Sequence, residues 1–170
     1  DAGAWMRADL TYNGRYLNGL SNVTLGPVLG ANGKPLRSNA ERDSEALALA
    51  SGDTRNGSAY LGFEVQHRIA IYPFAANSFG PPKGAVPLPP SVNRMHENQG
   101  IEALATIKTG RLGGTLLAFS ERLPRKGGDL QGWLIGGPTP GTILLKPLGA
   151  LDITDAAALP DGGIVILERR

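Results

Sequence analysis

Three similar stretches organise this chain: Asp43-Ser-Glu-Ala-Leu-Ala-Leu49, Gly100-Ile-Glu-Ala-Leu-Ala-Thr106 and Ile153-Thr-Asp-Ala-Ala-Ala-Leu159. Each places a carboxylate just before a short apolar run: Glu45, Glu102 and Asp155. Each is followed by a turn and a second apolar run that also ends in a carboxylate: Glu64, Glu121 and Glu168. The carboxylates of the first runs are 57 and then 53 residues apart, and a period of about 50 residues is typical of a β-propeller blade. We therefore predict that acids at equivalent strand ends converge on one region of the fold.

The composition limits the fold classes and the kinds of partner that are compatible with this chain. The chain has 170 residues, of which 41% are hydrophobic and 19% charged, as in an ordinary globular domain. Its 24 glycines and 13 prolines indicate many tight turns, which favours an all-β fold. The net charge is only +2 and the basic residues are scattered, so we expect no nucleic-acid partner. The absence of cysteine excludes disulfides and thiolate nucleophiles.

The predicted organisation is a β-propeller of which this chain covers about three blades. Residues 1–41 would form outer strands of a preceding blade and a connection, 42–99 the first repeat, 100–151 the second, and 152–170 the start of the third. Propellers close their ring with four to eight blades, so we expect a fragment whose partner is the remainder of the same propeller. The chain opens on Asp rather than Met, which agrees with a processed form. No apolar run approaches the roughly 20 residues that a membrane span needs.

The first hairpin illustrates the strand prediction. Trp5 to Tyr12 reads as a strand, Asn13-Gly14 as a two-residue turn, and Arg15 to Leu25 as the return strand. Five prolines between Phe79 and Asn98 predict an extended surface connection, because proline cannot donate to a sheet.

The repeated acids have two chemical interpretations. Gathered around a channel, the six carboxylates could hold a hard cation such as Ca²⁺, which takes six to eight oxygen ligands. Like charges brought together would raise one another's pKa unless a cation or an arginine is present. The alternative is structural: each acid caps a turn or pairs with a nearby arginine, namely Arg42, Arg68, Arg122 or Arg169.

His67 and Arg68 follow Glu64 closely and form a second candidate grouping. A histidine beside an arginine could recognise phosphate or carboxylate through charge-assisted hydrogen bonds, or supply a general base. The alternative is a structural histidine at a strand end. Serine catalysis has little support, because the sequence contains no G-x-S-x-G nucleophile elbow.

Longer motifs surround these acids in a fixed order: Arg42-Asp-Ser-Glu-Ala-Leu-Ala48, Phe63-Glu-Val-Gln-His-Arg68, Asn98-Gln-Gly-Ile-Glu-Ala-Leu-Ala105, Ser120-Glu121, Asp155-Ala-Ala-Ala-Leu-Pro-Asp-Gly162 and Leu167-Glu-Arg169. Together they resemble the bacterial phytase-like family, whose members are named for an esterase-like activity of phytase. The resemblance covers nearly the whole chain. It implies a β-propeller hydrolase, periplasmic or secreted, that acts on a phosphoester or an ester with metal assistance.

The site predicted from the motifs divides into three sets of residues. Catalytic roles are expected of Glu64, His67, Arg68 and Glu121. Binding of a small anionic substrate is expected of Arg68, Asn98 and Arg169. Ligation of Ca²⁺ is expected of Glu45, Glu102, Asp155 and Glu168. The competing functional class is a propeller without catalysis that binds a ligand or a protein partner.

Overall fold

The computed structural model describes residues 2–124 and 127–170. Antiparallel strands dominate this part of the chain, which confirms the predicted all-β class. The strands are β1 (Ala4–Asn13), β2 (Tyr16–Pro27), β3 (Ser44–Gly52), β4 (Gly57–Phe63), β5 (Arg68–Ala75), β6 (Ser78–Phe79), β7 (Gly84–Ala85), β8 (Ile101–Ile107), β9 (Thr115–Pro124), β10 (Leu130–Gly136), β11 (Gly141–Leu145), β12 (Asp152–Ala158) and β13 (Ile164–Arg169). The helical elements are the four-residue helix α1 (Asn39–Arg42) and two 3₁₀ turns, Pro90–Arg94 and Gly110–Leu112.

Strand order follows chain order in each sheet. The hairpin β1–β2 comes first, and the first sheet has the order β3-β4-β5-β6, with β7 also paired to β5. The second sheet is β8-β9-β10-β11 and the third is β12-β13. None of the described sheets closes into a barrel. Within the same residues, no helix has the length and apolarity needed to span a membrane.

The sheets stack through their first strands, since β3 packs against β8 and β8 packs against β12. Between the first and second sheets lies an apolar core that includes Ala46, Ala48 and Leu104. The opposite face of β8 packs on the third sheet through small side chains such as Ala103 and Ala105. The strand β8 is therefore buried on both faces, which explains why its sequence is a near-continuous apolar run.

The hairpin β1–β2 is attached to the first sheet at a few points. The Trp5 ring stacks on Phe79 with centroids 5.9 Å apart. The Arg7 guanidinium donates hydrogen bonds to the backbone carbonyls of Thr54 and Ala76, at 3.2 Å and 2.8 Å. Val28, just beyond the hairpin, is buried and fixes the chain as it leaves β2.

Two local predictions require correction. The hairpin turn is formed by Gly14 and Arg15 rather than by Asn13-Gly14, because Asn13 still pairs with Tyr16. Gly14 takes the positive φ of 60° that glycine tolerates best in a tight turn. The proline-rich connection also differs from a purely extended surface segment, since it contains a 3₁₀ turn and buries Val92 and Met95 in the core.

The register of the third sheet corrects the predicted repeat. Ser44 pairs with Phe63, Ile101 with Ser120, and Ile153 with Glu168. Glu168 is therefore the counterpart of Phe63 and Ser120, not of Glu64 and Glu121. By the same register, Asp155 is the counterpart of Ala46 and Ala103, one residue beyond the position of Glu45 and Glu102. Matching carboxylate to carboxylate shifted the third copy by one residue, and in a strand a one-residue shift moves a side chain to the other face.

Candidate functional site

A β-bulge occurs at the same place in the first strand of each sheet. The pairing register shifts between Ser44 and Ala46, between Ile101 and Ala103, and between Ile153 and Asp155. The bulged residues are Glu45, Glu102 and Thr154. A bulge bends its strand and redirects the side chain of the bulged residue. The bulges in β3 and β8 therefore redirect the side chains of Glu45 and Glu102, which occupy equivalent points of neighbouring sheets.

A second set of equivalent positions lies where the second strand of each sheet ends. The Glu64 backbone N–H donates to the Asp43 carbonyl at 2.8 Å, and the Glu121 N–H donates to the Gly100 carbonyl at 3.0 Å. In the third sheet, Arg169 is paired with Asp152 at the corresponding register. Arg169 thus takes the place that glutamate occupies in the first two sheets.

All of these positions except Thr154 line one cavity, here called the acidic cavity. Its volume is about 530 Å³. Its lining residues are Asn39, Arg42, Asp43, Glu45, Glu64, Asn98, Glu102, Glu121 and Arg169. The lining is polar and mostly charged, which is unusual for a cavity that accepts an apolar ligand.

Three carboxylates meet in the acidic cavity. One carboxylate oxygen from each of Glu64, Glu102 and Glu121 lies within 4.8 Å of the other two. Glu64 is the most buried of them, with 8% of its surface exposed, and its Oε1 accepts a hydrogen bond from the Gly100 N–H at 2.8 Å. In the part of the chain that the structure describes, none of the three forms an ion pair with an arginine. The arginine pairing of the structural alternative is thus not seen for these three acids, whereas the Glu64 carboxylate does bind a backbone N–H.

The crowding of the carboxylates perturbs their protonation. Burial, together with the charges of Glu121 and Glu64, raises the pKa of Glu102 to about 7, while Arg169 opposes this shift. Burial also raises the pKa of Glu121, with a further contribution from Asp152. At neutral pH, the protonated and the ionised forms of the Glu102 carboxyl are therefore both populated.

The carboxyl of Glu45, on the neighbouring strand, shifts in the same direction. Burial raises its pKa, and the charges of Glu102 and Asp43 add to that effect. Burial and neighbouring negative charge therefore favour the protonated forms of Glu45, Glu102 and Glu121 relative to ordinary carboxyls.

Arg68 lies outside the acidic cavity. Its guanidinium stacks over the Phe63 ring, 3.7 Å from the centroid, and donates to the carbonyls of Gln66 and Glu41. These contacts connect the start of β5 to helix α1, so the Arg68 side chain has a structural role. Its predicted catalytic and substrate-binding roles gain no geometric support from this position.

His67 is also absent from the cavity lining, but it lies behind one wall of the cavity. Its Nδ1 is buried and has no hydrogen-bond partner among the described residues. A Cβ placed on Gly100 would be 3.2 Å from that nitrogen, so the imidazole packs against the segment that leads into β8.

The remaining predicted residues divide between the cavity and other surfaces. Asn98 and Arg169 line the acidic cavity. Asp155 is exposed, and its Oδ1 accepts from the Ala156 N–H at 2.8 Å. Glu168 is not among the lining residues, and its Oε1 is buried without a hydrogen-bond partner in the described chain. Asp155 and Glu168 are therefore not brought together with the three clustered acids.

Sequence reasoning assigned no site role to the helix that closes one side of the cavity. Asn39 and Arg42 belong to α1, and the Arg42 guanidinium donates to the Asn39 side chain at 2.7 Å. The helix starts at a capping box in which Ser38 accepts from the Glu41 N–H and the Glu41 carboxylate accepts from the Ser38 N–H. The pattern Ser38-Asn-Ala-Glu41 is the sequence signal that could have revealed this helix.

Comparison with protein families gives one match. A family model described as phytase-like, esterase-like activity of phytase, matches residues 1–170, the whole chain. The chain therefore belongs to the phytase-like family, as the ordered motifs around the acids predicted. A search of curated proteins and a search of solved structures found no match.

Proposed function

We propose that this chain is part of a metal-assisted hydrolase of phosphoesters or esters whose reaction takes place in the acidic cavity. The observation that carries the proposal is the convergence of Glu64, Glu102 and Glu121, whose carboxylate oxygens lie within 4.8 Å of one another. Membership of the phytase-like family supports a hydrolase-like function.

The proposed architecture is a β-propeller. Its support is the up-and-down order of the second sheet, β8-β9-β10-β11, and the contact of β8 with both β3 and β12. In a propeller the first strands of consecutive blades lie around a common axis. The acidic cavity would then lie beside that axis, between neighbouring blades.

The donor set of the acidic cavity fits a hard cation. Three carboxylates offer oxygen atoms of the kind that Ca²⁺ prefers, and Asn98 also lines the cavity. Glu64, Glu102 and Glu121 would hold such an ion, and Glu45 and Asp43 lie in the same wall. A bound divalent cation would polarise a phosphoryl or carbonyl oxygen and make a water molecule more acidic.

The chain's own side chains would bind the substrate and handle protons. Arg42 and Arg169 bring positive charge to the cavity wall, where a guanidinium can pair with a phosphate or carboxylate group. Without a cation, Glu102 has a pKa of about 7, so a cation that binds at neutral pH would have to displace a proton from part of the Glu102 population. We assign anion binding to Arg42 and Arg169 because the Arg68 guanidinium is engaged with backbone carbonyls.

A binding role without catalysis is the second candidate, and one observation favours it. No serine, threonine or histidine is among the described residues that line the acidic cavity, so the protein supplies no serine-type nucleophile there. A cation-dependent binding site for an anionic ligand would have the same lining. The two functions differ in turnover and not in cation binding.

The decisive experiment measures cation binding and turnover with Glu121→Gln. We expect Ca²⁺ affinity, measured by calorimetry, to fall about tenfold, which corresponds to about 1.4 kcal/mol. Hydrolysis of p-nitrophenyl phosphate and p-nitrophenyl acetate should fall with it, if catalysis occurs. The matched control is Glu97→Gln, which removes an exposed carboxylate outside the acidic cavity and should leave both quantities unchanged.

The outcomes separate the candidates. Cation binding with no turnover of either ester by the wild-type protein would favour the binding role. Equal Ca²⁺ affinity in the wild-type protein and Glu121→Gln would contradict the proposed site.

A further inference from the structure

We propose that Gly100 is a positioning residue of the acidic cavity, which holds the Glu64 carboxylate in place through its N–H and its lack of a side chain. This inference rests on the proposed function only where it takes the acidic cavity to be a cation site. Two independent features of the structure carry it: a hydrogen bond and a close approach.

The hydrogen bond joins the two elements that build the cavity. The Gly100 N–H donates to Glu64 Oε1 at 2.8 Å, and the pair is buried. Gly100 is the last residue before β8, whereas Glu64 directly follows β4. Because Gly100 leads into the second sheet and Glu64 follows a strand of the first, this hydrogen bond connects the two sheets.

The close approach requires glycine. A Cβ on Gly100 would lie 2.5 Å from Glu64 Cγ and 3.0 Å from Glu64 Cα. The Cα is backbone and cannot turn away, so any larger residue must displace Glu64. Gly100 has no positive φ that would itself demand glycine. Space, and not backbone conformation, makes the small residue necessary here.

The backbone around Glu64 is held on both sides, which leaves the side chain little room to adapt. The Glu64 N–H donates to the Asp43 carbonyl at 2.8 Å, and the Val65 N–H donates to the Glu97 carbonyl at 2.9 Å. Val65 has a φ of 42°, which is a strained value for a β-branched residue. Surrounding contacts must maintain such a conformation, and the two backbone hydrogen bonds are among these contacts.

The second sheet contains a natural comparison. Asp152 is the counterpart of Gly100, as Glu121 is the counterpart of Glu64. Asp152 has a side chain, which accepts a hydrogen bond from Arg122 Nε at 2.7 Å. Glu121 is less buried than Glu64. Glu64, which packs against a glycine, is thus buried with 8% of its surface exposed, whereas Glu121 is only partly buried.

The first test is Gly100→Ala, with Gly141→Ala as the matched control. A Cβ on Gly141 meets nothing within 4 Å, so the control measures the general effect of the same exchange in a strand. We expect Gly100→Ala to weaken Tb³⁺ binding, followed by luminescence, at least tenfold, while Gly141→Ala binds as the wild-type protein does. A folded Gly100→Ala protein with wild-type affinity would overturn the proposal.

The second test needs neither a bound cation nor a folded Gly100→Ala protein. Hydrogen exchange of the Gly100 amide is measured by NMR in the wild-type protein, in Glu64→Gln and in Glu64→Leu. Glutamine retains an acceptor oxygen and should keep the amide protected, whereas leucine should speed its exchange at least tenfold. Fast exchange in the wild-type protein, or equal protection in all three proteins, would overturn the proposal. Protection that depends on the acceptor, in a protein that binds no Tb³⁺, would instead leave the positioning role intact and contradict the proposed cation site.

Discussion

Replacing Trp133 by alanine is expected to lower the free energy of unfolding by about 3–5 kcal/mol, the usual cost of truncating a large buried aromatic residue. Trp133 is fully buried in the core between the first and second sheets. Its indole N–H donates to the Ser91 hydroxyl at 2.8 Å, which joins β10 to the 3₁₀ turn of the proline-rich connection. The alanine variant loses both the packing and this tie. Chemical denaturation followed by circular dichroism measures the loss.

Trp133→Phe separates the two contributions. Phenylalanine keeps most of the buried ring but has no N–H for Ser91, which still receives a hydrogen bond from Gln131 at 3.1 Å. We expect the phenylalanine variant to lose clearly less stability than the alanine variant. An alanine variant within about 1 kcal/mol of the wild-type protein would show that the core assigned to Trp133 is wrong.

Glu102→Gln is expected to remove most of the pH dependence of stability near neutrality. The pKa of Glu102 rises from an ordinary value of 4.5 to about 7 in the folded protein. Between those values the folded state binds more protons than the unfolded state, so stability falls as the pH rises through this window. The contribution is fully present below pH 4.5 and is lost above about pH 7. Glutamine carries no charge at any pH and cancels it.

The measurement is the melting temperature of both proteins between pH 4 and 9, with a chelator present. At pH 8 the Glu102→Gln protein should melt at a higher temperature than the wild-type protein, and at pH 4 the two should be similar. Glu45 and Glu121 titrate with the same sign, so a smaller slope should remain in the variant. The same slope in both proteins would contradict the assigned pKa of Glu102.

Added Ca²⁺ extends this prediction to the proposed site. A ligand that binds only the folded state stabilises it by mass action, by about 2.7 kcal/mol at a hundred times its dissociation constant. The cation and the proton compete for Glu102, so Ca²⁺ should stabilise the wild-type protein more at pH 8 than at pH 5.5. Glu102→Gln should lose this gain. Equal stabilisation of both proteins would place the cation elsewhere.

The sequence was sufficient for the all-β class and for the acids of the first two repeats. Regular apolar runs and Asn-Gly or Asp-Gly turns predict strands, and Glu64 and Glu121 end comparable runs. The third repeat could not be placed by residue type, because its register depends on a bulge between Ile153 and Asp155. A bulge shifts pairing by one residue and has no distinct sequence pattern here. The sequence pattern predicts Glu168 as the counterpart of Glu64 and Glu121, with Arg169 as its neighbour. In the structure, Arg169 itself is the counterpart of those two glutamates.

Tertiary packing decides the roles of His67 and Arg68, and local sequence cannot reveal it. Their spacing from Glu64 suggested a shared site, but the turn that contains the strained Val65 separates them from it. Arg68 is drawn to the Phe63 ring and to the Glu41 carbonyl instead. The part that α1 takes in the cavity could not be predicted for a similar reason, since only the folded chain brings Arg42 and Glu64 into the lining of one cavity.

Position 169 carries an arginine where the first two sheets carry a glutamate, and this difference adds positive charge to the acidic cavity. Had the third sheet repeated the first two, position 169 would add a further negative charge to the cavity, and Arg42 would be its single cationic lining residue among those described. Instead, Glu64, Glu102 and Glu121 cluster together, and Arg169 lines the same cavity, where its charge opposes the rise in the pKa of Glu102 and Glu121. In the proposed site, the acids would contact a cation and Arg169 would pair with an anionic group of the substrate. The broken repeat would therefore give the site both charges, which a symmetric ring of acids lacks.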